Sequence, residues 1–99
     1  MAEATQRQMK VYLKTRAEIA KMREANLAVN AVLDACEVVA KPGATTWDLN
    51  EAAVCEAARL GVRSDFLGYH GYPAVLCTSV NEVVVHGIPK KDVVLREGD

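Results

Sequence analysis

The spacing of the apolar residues changes once along this chain, at Gly61, and that change constrains the fold more than any other feature. Before Gly61, apolar side chains return every three or four positions. After it, they gather in short β-branched runs divided by turn residues. The first spacing belongs to amphipathic helices and the second to strands. Helices first and antiparallel strands afterwards give the α+β class, with the helices laid on one face of the sheet.

The first helix starts after Thr15. Thr15 and Glu18 form the capping-box pattern, in which the hydroxyl takes a free N–H and the carboxylate reaches back to the cap. Ile19, Met22, Val29, Leu33 and Cys36 mark an apolar stripe, widened by Ala25, Ala28, Val32 and Val39. Glu18, Lys21, Glu24, Asn30, Asp34 and Glu37 fall to solvent. Lys41-Pro42-Gly43 ends this helix near Ala40, because proline disfavours helical geometry in the residue before it. Thr45 or Thr46 caps a second helix, with Asp48 and Glu51 near its positive end. Its buried face reads as Leu49, Ala52, Ala53, Ala57 and Leu60, and Gly61 supplies the left-handed residue past its end.

Beyond Gly61, strands are expected over 74–80 and 83–85, joined by a tight turn at Asn81-Glu82. A further short strand is expected over 93–95, and Glu97-Gly98-Asp99 reads as a turn. Residues 1–11 form a polar extension, with residues 1–10 frayed and 9–13 read as a short strand or an arm. Residues 12–99 form the folded unit.

Composition excludes several classes. A net charge of -1 carries no nucleic-acid footprint. No apolar run approaches the roughly 20 residues that span a bilayer. Three cysteines, Cys36, Cys55 and Cys77, without a C-x-x-C pair, fit reduced thiols better than a disulfide framework or a zinc knuckle.

The candidate chemistry lies in Gly68-Tyr69-His70-Gly71-Tyr72-Pro73 and in His86-Gly87-Ile88-Pro89. His86 ends a strand beside a turn, where an imidazole can face a cleft from rigid backbone and exchange hydrogen bonds near neutral pH. The alternative is a histidine bonded within its own turn. His70 sits between glycines that let the backbone bend sharply; the alternative is an exposed loop histidine. Tyr69 and Tyr72 offer an apolar body with a polar tip for a pocket rim. Cys77 reads first as a small buried hydrophobe. Asp65, Asp92 and Asp99 do not form a metal cluster by their spacing.

Gly68 to Pro89, taken with Lys41-Pro42-Gly43 and Lys21-Met22-Arg23-Glu24-Ala25, resembles the N-terminal half of the bacterial-type (type I) methionine aminopeptidases, from about Tyr12 to Asp99. The resemblance implies the pita-bread fold of that family, in which two similar halves each contribute helices and part of a curved antiparallel sheet. It implies a cytoplasmic metal-dependent exopeptidase that removes the initiator methionine from nascent, ribosome-associated proteins, with no membrane and no direct nucleic-acid contact. It assigns His86 to the scissile peptide of the substrate and His70 to the entrance beyond the methionine pocket. Tyr69, Tyr72 and Cys77 would line that pocket, and so would Phe66, which stands where some relatives carry cysteine. Arg16 replaces the proline often found where the long helix begins.

The family uses two divalent metal ions (cobalt, manganese, iron or zinc) held by two aspartates, a histidine and two glutamates. The resemblance places all five beyond Asp99. The expectation is therefore a substrate-binding wall with no metal of its own, inactive alone. The alternative is a non-enzymatic half-domain that complements a C-terminal half, or pairs with a second copy through an open sheet edge.

Overall fold

The computed structural model describes residues 10–99. The expectations for residues 1–9, including the frayed start and the beginning of the 9–13 arm, fall outside the described residues. Residues 10–15 precede the first helix without regular structure.

Two helices pack against each other, α1 (Arg16–Val39) and α2 (Thr46–Leu60). Each begins with a complete capping box. The Thr15 N–H donates to Glu18 Oε1 at 2.8 Å, and the Glu18 N–H donates to Thr15 Oγ1 at 3.2 Å. These bonds hold the Glu18 carboxyl below the usual carboxylate range. At α2 the cap is Thr45 rather than Thr46. The Thr45 N–H donates to Asp48 Oδ2 at 2.8 Å, and the Asp48 N–H to Thr45 Oγ1 at 3.1 Å. Gly61 closes α2 in the left-handed region, at φ 70°, as its place in the sequence requires.

The buried face of α2 differs from the one expected. Thr46, Asn50 and Ala53 are its buried residues, at i, i+4 and i+7. Leu49, Ala52, Ala57 and Leu60 are half-buried. A polar stripe is buried because it has backbone partners. Thr46 Oγ1 accepts the Lys90 N–H at 2.8 Å and donates to the Lys90 C=O at 3.1 Å. The Thr46 N–H donates to the Val93 C=O at 3.0 Å, and the Trp47 N–H to the Lys90 C=O at 3.2 Å. The chain after Pro89 thus docks across the N-terminus of α2.

The expected antiparallel sheet does not form among the described residues, and the strand assignments over 74–80, 83–85 and 93–95 are corrected accordingly. The turn at Asn81-Glu82 is present: Asn81 adopts φ 52°, and the Val83 N–H donates to the Val80 C=O at 3.1 Å. The flanking segments do not zip into a ladder. They share the Thr78 N–H to Gly87 C=O bond of 2.8 Å, while the returning Gly87 N–H goes to Ser79 Oγ at 3.1 Å. An isolated hairpin is marginal in water unless a third strand or a helix covers it. Here side-chain hydroxyls and an amide take the backbone groups that a neighbouring strand would otherwise pair. Residues 93–95 form one isolated antiparallel bridge, Thr45 to Val94, flanked by the Gly43 N–H to Leu95 C=O bond of 2.9 Å and the Leu95 N–H to Ala44 C=O bond of 2.7 Å.

The apolar stripe of α1 is on the expected positions but largely uncovered. Cys36 is buried, and its thiol donates to the Leu49 C=O at 3.4 Å; burial pushes that thiol up. Ile19, Met22, Val29 and Leu33 are exposed. Among the described residues, no helix is long and apolar enough to cross a membrane.

Replacing Thr46 by valine keeps the volume and strands the Lys90 N–H, while the Lys90 C=O keeps the Trp47 N–H alone. An unpaired buried polar group costs about 1–3 kcal/mol. Thr46→Val is expected to lower the unfolding free energy by that amount in urea denaturation, with Thr46→Ser retaining most of it.

Candidate functional site

Residues 66–72 fold back on themselves. The Tyr69 N–H donates to the Phe66 C=O (3.0 Å), the Gly68 N–H to the Tyr72 C=O (2.9 Å) and the Tyr72 N–H to the Tyr69 C=O (2.9 Å), with a single 3-10 turn over Tyr69–Gly71. His70 sits in that turn at φ 48°. Its ring meets the Tyr69 ring edge-on, with centroids 4.3 Å apart, and both side chains are exposed. The Phe66 and Tyr72 rings tilt against each other at 6.2 Å.

Tyr72 joins this loop to the second histidine motif. Its hydroxyl lies 2.9 Å from the Leu76 C=O and 3.3 Å from the Gly87 C=O. Burial, followed by hydrogen bonding and charge coupling with Cys77, pushes the Tyr72 phenol up to about 12. Gly87 is the fixed point. Its C=O receives the Thr78 N–H as well as the Tyr72 hydroxyl, and its N–H is held by Ser79. A β-carbon at residue 87 would sit inside the contact distance of the Thr78 carbonyl, so glycine is required by the close approach of the two backbones. His86, immediately before it, is exposed and left-handed at φ 56°. Three non-glycine residues adopt positive φ among the described residues, and two are His70 and His86. Such backbone strain persists where the surroundings over-determine it, and it collects at functional sites.

The structure therefore brings Phe66, Tyr72 and Cys77 into one connected group, with Tyr72 reaching the residue after His86. It does not bring the two imidazoles into contact, and among the described residues neither makes a side-chain hydrogen bond. Two apolar hollows flank Leu76. One, of 560 Å³, includes Cys77, Thr78, Leu33 and Leu49; the other, of 410 Å³, includes Phe66, Val75, Val29 and Ala53. Phe66 and Cys77 thus line different hollows.

Sequence reasoning missed three polar residues here. Asn50 is 3% exposed, and its Oδ1 accepts the Val75 N–H at 2.9 Å. Ser64 Oγ donates to the Val75 C=O at 2.5 Å. Thr78 Oγ1 is buried without a partner. A polar residue amid the apolar spacing of α2 was the available signal for Asn50. The other two gave none.

Residues 20–99 match the model of metallopeptidase family M24. The chain belongs to that family. Among curated M24 relatives, the methionine aminopeptidase of Aquifex aeolicus is 43% identical over 97 residues, which cover 92% of this chain and 38% of that protein. The methionine aminopeptidase of Escherichia coli is 42% identical over 95 residues, covering 92% of this chain and 35% of that protein. The crystal structure of the methionine aminopeptidase from Thermotoga maritima superposes with a TM-score of 0.85 at 42% identity, covering 91% of this chain and 36% of that one. The chain thus spans a little over a third of the length of the relatives it matches. The fold is accordingly that of this M24 neighbour over the matched part. The family name implies a metal. Among the described residues, no three histidine, cysteine or carboxylate side chains gather as a ligand set, so the residues present do not fit a metal by themselves.

The raised Tyr72 phenol has a pH consequence. The folded state favours the neutral phenol, so its contribution is fully present below the unfolded tyrosine value of about 10 and is lost as pH rises toward 12. Ultraviolet titration is expected to show one tyrosinate forming near pH 12, absent in Tyr72→Phe, with stability falling between pH 10 and 12. Gly87→Ala is expected to separate Thr78 from Gly87 and to cost about 1–3 kcal/mol in thermal or urea unfolding, the range for a methyl group forced into packed space.

Proposed function

We propose that this chain supplies the substrate-side wall of a methionine aminopeptidase, which removes the initiator methionine from nascent proteins in the cytoplasm. The observation that carries the proposal is the anchoring of Gly87: one glycine ties the Tyr72 loop to the backbone that presents His86. A pocket and a hydrogen-bonding group held on one backbone unit suit a substrate gripped by its side chain and polarised at its peptide bond.

In this reading residues 12–99 form the N-terminal half of the catalytic domain. Phe66 from one hollow and Cys77 from the other, with Tyr69 and Tyr72 beside them, contribute apolar surface for a thioether, for which aromatic and sulfur contacts are favourable. His70, beside Tyr69, lies at the entrance. His86 hydrogen-bonds to the scissile peptide as its carbonyl carbon becomes tetrahedral. Two divalent ions (cobalt, manganese, iron or zinc) would supply the hydrolytic chemistry from ligands outside these residues. The segments over 74–80, 83–85 and 93–95 would pair as strands of the curved sheet once further strands flank them. Substrates are peptide or nascent-chain N-termini beginning with methionine, met at the ribosome.

A second reading is favoured by the exposed apolar surface. Ile19, Met22, Val29 and Leu33 leave the apolar stripe of α1 uncovered, and Val84 and Val85 are exposed as well. A half-domain with such a face complements a C-terminal half or pairs with its own copy. Light scattering on the purified chain separates the two: a stable monomer counts against self-pairing.

Titration of the chain with L-methioninamide, followed by nuclear magnetic resonance, tests the first reading. Resonances of Phe66, Tyr69, Tyr72 and Cys77 are expected to shift with methioninamide and to stay still with L-lysinamide. Equal shifts with both, or none with either, would remove the pocket.

A further inference from the structure

We propose that Asn50 and Ser64 are positioning residues for the methionine side-chain pocket, acting as a two-sided clamp on Val75. The proposal rests on the pocket reading above and adds how that pocket is held.

Val75 lies between Tyr72 and Cys77 in sequence. Its N–H is taken by Asn50 Oδ1 from α2 at 2.9 Å, and its C=O by the Ser64 hydroxyl at 2.5 Å. The same hydroxyl accepts the Phe66 N–H at 3.1 Å. One serine therefore ties Phe66 to Val75, and one asparagine ties Val75 to a rigid helix. Both polar groups of Val75 are bonded to side chains, where a strand in a sheet would bond to backbone.

The chemistry of Asn50 is informative. It is 3% exposed, and its neighbours on the buried face of α2 are Thr46 and Ala53. Helix packing alone would be served as well by an apolar residue. What Asn50 adds is an acceptor aimed at an N–H that has no strand partner, and unpaired N–H groups are costly in a buried setting. Ser64 is half-buried and sits on a loop outside both helices. Its donor and acceptor are both used, so its two bonds set the spacing between Phe66 and the Tyr72–Cys77 segment. Loss of either clamp arm frees the Val75 peptide to rotate. The Tyr72 hydroxyl then leaves the Leu76 C=O, because Leu76 is the next residue.

The experiment compares Asn50→Ala and Ser64→Ala with the conservative Asn50→Asp and Ser64→Thr, in the full chain, by L-methioninamide titration and by ultraviolet titration of Tyr72. The alanine variants are expected to bind about tenfold more weakly, the worth of one such hydrogen bond. Their Tyr72 titration should move from about 12 toward the ordinary value. The Thr variant, which keeps the hydroxyl, should retain binding within about twofold, and so should the Asp variant, which keeps the acceptor, at a pH low enough to leave its buried carboxyl neutral. Alanine variants that bind like the parent, or conservative variants as weak as the alanine ones, would overturn the clamp while leaving the pocket intact. A parent chain that does not bind methioninamide overturns the pocket and the clamp together. Should Asn50→Ala lose its helical circular dichroism, Ser64→Ala decides the matter, since Ser64 lies outside both helices.

Discussion

The reciprocal pair between the Thr46 hydroxyl and the Lys90 backbone is the interaction on which the rest depends. It spans 44 positions of sequence and sits at 1% exposure. Around it the Thr46 and Trp47 N–H groups find the Val93 and Lys90 carbonyls, so part of the first turn of α2 is satisfied by distant chain rather than by water. Four positions further along α2, Asn50 does the same for Val75. Two polar residues on one helical stripe thus hold two separate stretches of non-helical chain. Few side chains are fully buried among the described residues, and these hydrogen bonds tie distant parts of the chain to α2.

This arrangement explains how exposed residues can be well placed. His86 and His70 have no side-chain partners among the described residues, yet each occupies a left-handed conformation flanked by bonded backbone. The fixed residue is the neighbour, Gly87 after His86 and Gly71 after His70, with the Gly71 N–H donating to the Gly68 C=O. Holding the neighbour leaves the imidazole free to meet a ligand while its Cα stays in place.

Much of the helical half was legible in the sequence. The Thr15–Glu18 capping box, the stop at Lys41-Pro42-Gly43 and the left-handed Gly61 are local signals, and local hydrogen bonds realise them. The turn at Asn81-Glu82 was legible for the same reason. The strands were not, because β-branched runs report a preference for extended backbone and not the presence of a partner. Residues 74–80 and 83–85 form no ladder and bend at 74–76 and 85, and the Val75 and Leu76 backbone groups are taken by Asn50, Ser64 and Tyr72. The buried face of α2 was misread because apolar spacing ranks Leu49 and Ala57 above Thr46 and Asn50, and nothing local reveals that Lys90 and Val75 will arrive. The grouping of Phe66, Tyr72 and Cys77 was read through family resemblance. The Tyr72 hydroxyl's bonds to the Leu76 and Gly87 carbonyls came only from the geometry.

The central claim is that polar side chains of α2, rather than a sheet, hold the extended half in place. Native-state amide hydrogen exchange, read residue by residue, tests it most directly. The account predicts that the Lys90, Val75 and Leu95 amides exchange only with global unfolding, while Val84 and Val85 exchange nearly as fast as free peptide. Rapid exchange at Lys90 and Val75, or alternating protection through 83–85 of the kind a strand ladder gives, would contradict it.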